Sequence, residues 1–136
     1  MVVIFRKRGL PPHLVDPYQA FCDQVQRMEQ ARDALMSCLP VGRVDPVPVG
    51  VGLDLLSDTL DQIREEMSRW KVAEVEQEWT ACGSAIQESK SLMATAHQVA
   101  QDSTELEHLL AAVDDVDEPL GYAFGQAELR WRALRR

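Results

Sequence analysis

From Leu53 to Val113 the chain contains no proline and a single glycine, Gly83. Apolar residues return along this stretch at helical spacing. Leu56, Leu60, Ile63, Met67 and Trp70 step by four and three, which aligns them on one stripe of a helix. A second seam, Val72, Val75, Trp79, Cys82 and Ile86, keeps the same step in a different phase. A third runs through Leu92, Ala96, Val99, Ser103, Leu106, Leu110 and Val113. No single stripe therefore spans the whole stretch. Either one helix turns successive faces to its neighbours, or the chain breaks. Cys82-Gly83-Ser84 is the favoured break, because glycine ends helices and Ser84-Ala85-Ile86-Gln87 has the form of a capping box. Thr104-Glu105-Leu106-Glu107 is a second, equally ambiguous capping signal.

Upstream, Asp16-Pro17 has the chemistry of a helix start: a capping carboxylate, then a proline at the first helical position. Tyr18, Phe21, Val25, Met28, Arg32, Leu35 and Leu39 then form a seam with one charged member, and Pro40 ends it. Residues 40–52 hold three prolines, three glycines and five valines, so an extended loop is predicted there, near polyproline II at Pro46-Val47-Pro48-Val49. Its valines either cover a helix face or form an exposed docking segment for a partner groove. Downstream, Asp114-Asp115-Val116-Asp117-Glu118-Pro119 reads as an acidic turn between helices. It lacks the layout of a calcium loop. The last helix carries Leu120, Phe124, Ala127, Trp131 and Leu134 on one stripe and ends in arginines.

The predicted architecture is an all-α, antiparallel bundle of three or four helices with coiled-coil-like seams, at about residues 17–39, 53–82, 84–113 and 119–135. It forms one domain over residues 1–136, with an N-terminal arm at 1–15 and the Pro/Val-rich loop at 40–52.

Charge narrows the functions available. The net charge is −8, yet residues 1–8 hold three basic groups and no acid, and residues 128–136 hold four arginines beside Glu128. The intervening body is strongly acidic, which argues against a broad nucleic-acid surface. Arg6-Lys7-Arg8 has the composition of an import patch, though such triplets are common by chance. Cys22, Cys38 and Cys82 are odd in number and scattered, and no secretory leader precedes them. That pattern implies reduced thiols in a cytoplasmic protein, with nuclear residence left open. No run approaches the length of a membrane span.

Catalytic constellations are not evident. Glu105-Leu106-Glu107-His108 contains one Glu-x-x-His, a unit that helical di-iron sites use twice. His97, Gln101, Glu105 and His108 would share one face of a continuous helix, where a solvated polar surface accounts for them. No phosphate loop, nucleophile elbow or paired metal-ligand motif occurs. No cofactor, metal or catalytic residue is therefore expected. The function expected is a non-catalytic protein–protein interaction module, an adaptor or a subunit of a larger helical complex, with a homodimer left open. Two alternatives remain: a small helical metal-dependent hydrolase using carboxylates, and a membrane-surface or nucleic-acid contact through the basic termini. The candidate partner-binding residues are Phe124, Trp131, Arg130 and Arg132 on the last helix, with Val47 and Val49 in the loop.

Overall fold

The computed structural model describes residues 9–39 and 45–135. The basic triplet, most of the N-terminal arm, and Val41 and Val44 lie outside the described residues. Among the described residues four helices occur in order: α1 Pro12–Ser37, α2 Pro46–Glu66, α3 Glu76–Asp102 and α4 Leu106–Ala133. Two short 3-10 turns, Met67–Trp70 and Ala73–Val75, join α2 to α3. No strand is present among the described residues, and the all-α prediction holds.

Cross-helix pairs define the topology. Gln24 meets Glu66 and Leu35 meets Gly52, so α1 and α2 are antiparallel. Asp61 meets Lys90 and Asp54 meets His97 across α2 and α3. Ser89 meets Val116 and Glu78 meets Arg130 across α3 and α4. Tyr18 and Phe21 meet Trp131, while Arg32 meets Asp117, which closes α4 back on α1. The result is an up-down-up-down bundle.

The first and last seams of the sequence are buried, whereas the third crosses the turn between α3 and α4 and leaves Leu110 exposed. Leu56, Leu60, Ile63, Met67 and Trp70 are fully enclosed, as are Leu120, Ala127 and Trp131, with Phe124 nearly so. At the end of the bundle where α2 passes to α3, Phe21 packs edge-on against Trp70, with ring centroids 4.9 Å apart. Phe124 and Trp131 complete this aromatic cluster.

The helix boundaries differ from the predicted ones in three places. The hairpin lies at residues 67–75, not at Gly83, and α3 runs through Gly83 without a break. Three side chains build that hairpin. Gln24, itself buried, donates to the Glu66 carbonyl at 2.9 Å and accepts from the Trp70 indole at 2.8 Å. The Trp79 indole donates to the Met67 carbonyl at 2.7 Å. The carbonyls left free at the end of α2 thus find partners without glycine or proline. Gly83 has a different role: a Cβ there would collide with Nη1 of Arg64, whose guanidinium lies across the glycine and near the Trp79 ring.

The second correction concerns the acidic segment. Asp114 to Pro119 lies inside α4, and the turn falls at Ser103-Thr104-Glu105. Val113, Val116 and Leu120 are buried; Asp114, Asp115 and Glu118 occupy the outer face of an ordinary amphipathic helix, while Asp117 turns toward Arg32 on α1. Pro119 has no N–H for the Asp115 carbonyl. The neighbouring Val116 carbonyl accepts from the buried Ser89 hydroxyl at 2.8 Å.

The third correction is at the starts of α1 and α2. α1 opens at Pro12, so Asp16 does not cap it and Pro17 sits in its second turn. Burial of Leu14, worth roughly 2 kcal/mol, favours the additional turn. Residues 46–52 belong to α2 instead of an extended loop. Asp45 accepts from the Val47 amide at 3.2 Å, and both prolines fall in the first turn, where no helical N–H bond is required. Gly52 lets α2 approach α1 closely: its added Cβ would stand 3.0 Å from the Leu35 Cα.

Candidate functional site

α2 is apolar nearly all round over its first three turns. From Pro46 to Leu56 its one charged residue is Asp54, and that carboxylate faces His97 on α3 at 3.2 Å. Val49, Leu53 and Leu56 fill the core. Val47, Val51 and Leu55 recur every fourth residue on the opposite side, where they are 70%, 62% and 47% exposed. Helical spacing makes these three one continuous stripe. Beyond Leu55 the same side turns polar, through Asp58, Gln62 and Glu65. The stripe's lower end borders a shallow groove between α1 and α2, lined by Arg27, Gln30, Ala31, Leu55, Thr59 and Gln62.

This geometry redistributes the candidate partner-binding residues. Phe124 and Trp131 are buried in the aromatic cluster, because closing α4 onto α1 uses the stripe they define; neither can meet a partner in the folded chain. Val49 is likewise enclosed, since helix formation at Pro46 turns it inward. Val47 is exposed and remains a candidate. Arg130 donates to the Glu74 carbonyl at 3.0 Å and lies 3.9 Å from Glu78, so it ties α4 to the α2–α3 turn. Arg132 pairs with Glu128 one turn earlier, at 2.9 Å. The additional members, Val51 and Leu55, lay within reach of sequence reasoning. A helical spacing of Val47, Val51 and Leu55 is visible once the two prolines are taken as a helix start.

Groups with chemical potential are dispersed. His13 contacts Glu74 at 2.7 Å, His97 contacts Asp54, and His108 contacts Glu105 within its own helix start at 3.2 Å. Since α3 ends at Asp102, His97 and Gln101 do not share a helix with Glu105 and His108. Among the described residues no three His, Cys, Asp or Glu side chains converge as metal ligands would. Burial, and then the Glu78 carboxylate, push the Cys82 thiol up to about 12, which leaves it protonated and unreactive near neutrality. No described helix is long and apolar enough to cross a membrane. No family model matches the sequence, and no curated protein or solved structure matches it.

Proposed function

We propose that this protein is a non-catalytic interaction module that docks a protein partner, through helix-on-helix packing, on the exposed stripe Val47-Val51-Leu55. One observation carries the reading: the first half of α2 is apolar on both its inner and its outer side. A helix of that kind belongs in an interior, and here its outer side has no cover within the described chain. The side chains are aliphatic, rigid and evenly spaced, as helix-in-groove recognition requires. The free thiols Cys22, Cys38 and Cys82 support an intracellular setting for it.

The test replaces Val51 and Leu55 by Asp, singly and together. Both side chains are exposed, so the melting temperature should hold within a few degrees. A photo-crosslinker placed at position 51 first reports whether the partner is a second copy of the chain or another protein. Crosslinks lost in the Leu55→Asp variant support the stripe. A native protein that stays monomeric at high concentration, and whose crosslinks are unaltered by Leu55→Asp, would remove it.

A further inference from the structure

The first two turns of α2 are helical against the preference of their own sequence. Residues 46–52 read Pro-Val-Pro-Val-Gly-Val-Gly. Glycine and the β-branched valines rank low among helix formers, and a proline at 48 disfavours the helical region for Val47 before it. Inward packing holds the segment closed. Val49 and Leu53 are fully buried, and Gly52 lets the backbone of α2 rest against Leu35. The core at that end is built from small and aliphatic groups. The buried rings Phe21, Trp70, Phe124 and Trp131 cluster at the opposite end, whereas α3 brings Ala96 and Ala100 to either side of His97. The Asp54–His97 pair adds little, because its carboxylate lies largely in water. Further along, the same helix is anchored differently. Leu56, Leu60 and Ile63 are all enclosed, and no glycine or proline interrupts residues 53–66.

We propose that residues 46–52 are a switch segment: they open as one unit while the rest of the bundle stays folded, and this opening governs the docking stripe. The regulatory half rests on the reading of Val47-Val51-Leu55 as the docking site. Val47 and Val51 stand in line with Leu55 only in the closed state, because a spacing of four makes neighbours on a helix and not on an extended chain. Opened, the segment takes the extended conformation that its valines and prolines favour. Side chains then alternate, so Val47, Val49 and Val51 share one face while Leu55 stays behind on the helix. Closing hides Val49 and completes the stripe; opening exposes Val49 and dismantles it. A partner docked on the stripe binds the closed state alone and holds it closed. A conflict between local preference and global fold places a segment at the low-stability end of a structure, and here the conflict coincides with the outward apolar face.

Native-state hydrogen exchange on the full chain, read by NMR, tests the switch without any partner. The amides from Val49 to Leu53 should exchange about a hundredfold faster than those of Leu60 and Ile63, with one shared opening free energy and one shared, shallow dependence on denaturant. Simple fraying gives a different pattern, in which protection rises residue by residue from Val49 inward; that gradient would overturn the proposal. So would exchange of these amides at the rate of Leu60. Gly50→Ala gives the second reading. Its methyl has room, at 3.7 Å from the His97 ring. By raising helix propensity it should slow all of the Val49–Leu53 amides about fivefold and leave Leu60 and Ile63 unaltered. An unchanged rate, or slowing confined to one amide, counts against a single unit. None of these measurements depends on the crosslinks lost or kept in Leu55→Asp. A stripe that docks a partner but shows no unit in exchange is a rigid docking face, and the switch is then excluded. A unit that opens in a protein whose crosslinks ignore Leu55→Asp would overturn the regulatory half.

Discussion

Arg32 and Asp117 form a two-bond ion pair across α1 and α4: Nε donates to one carboxylate oxygen at 2.5 Å and Nη2 to the other at 2.9 Å. This pair explains two oddities at once. Arg32 is the charged member of an otherwise apolar seam, and Asp117 belongs to an acidic run that would suit a turn. Gly121 makes room for it, since a Cβ there would stand 3.0 Å from Nη2. Both side chains are mostly shielded from water, so the bonds are stronger than those of a surface pair. Replacing Asp117 by Ala should cost about 1.5–3 kcal/mol in urea denaturation. In a double-mutant cycle with Arg32→Met, most of that loss should vanish.

Two helical glycines should respond oppositely to alanine. At Gly52 the added methyl meets Leu35 backbone at 3.0 Å and its Cδ1 at 3.1 Å, and a packed backbone cannot give. Gly52→Ala should therefore destabilise by about 1–3 kcal/mol despite its better helix propensity. At Gly83 the obstacle is the tip of a long, flexible side chain. Arg64 can swing away and lose its contact with the Trp79 ring and a weak hydrogen bond to the Met67 sulfur. Gly83→Ala should lie between neutral and about 0.5 kcal/mol stabilising. Trp79 fluorescence should change as the guanidinium leaves. Thermal denaturation of the two variants checks the pair.

Trp131 is buried, and its indole N–H has no hydrogen-bond partner. Its worth to the fold is thus the ring and not the donor. Trp131→Ala should cost about 3–5 kcal/mol as a large-to-small core change. Trp131→Phe should cost much less, because it keeps an aromatic ring against Phe21 and Tyr18 and removes an unpaired polar group. Similar losses in both variants, measured by denaturant midpoint, would show that the indole nitrogen matters after all.

His13 near the start of α1 holds Glu74 in the α2–α3 turn, and this contact keeps the Glu74 carboxyl below its ordinary value. The backbone amide at Glu74 and the nearby charge of Arg130 act in the same direction. A depressed acid contributes stability that is present above its unfolded value and lost as pH falls through the folded one. The clasp should therefore hold at neutral pH and release in the acid range, below the usual glutamate titration. Carboxyl NMR of Glu74 should show the low titration, and His13→Ala should move it up toward the ordinary value. No change on removing His13 would assign the depression to the backbone and Arg130 alone.

What the sequence by itself determined is the helical class and most of the stripes that go inward, with the number of helices held to three or four. Those follow from local periodicity: an apolar residue every three or four positions has one way to be hidden on a helix. Even the hairpin left a trace, because the first seam ends at Trp70 and the second begins out of phase at Val72. That phase change, not Gly83, was the mark of the turn. What only the tertiary structure decided is where the helices stop. Met67 to Val75 has no breaker of its own; it turns because Gln24 on α1 and Trp79 on α3 donate to the Glu66 and Met67 carbonyls, with Gln24 held in place by the Trp70 indole. Gly83, Pro17 and Pro119 stay inside helices because packing around them outweighs a modest local cost. The proposed docking stripe belongs to the same category. Val47, Val51 and Leu55 face outward only once Pro46 starts a helix.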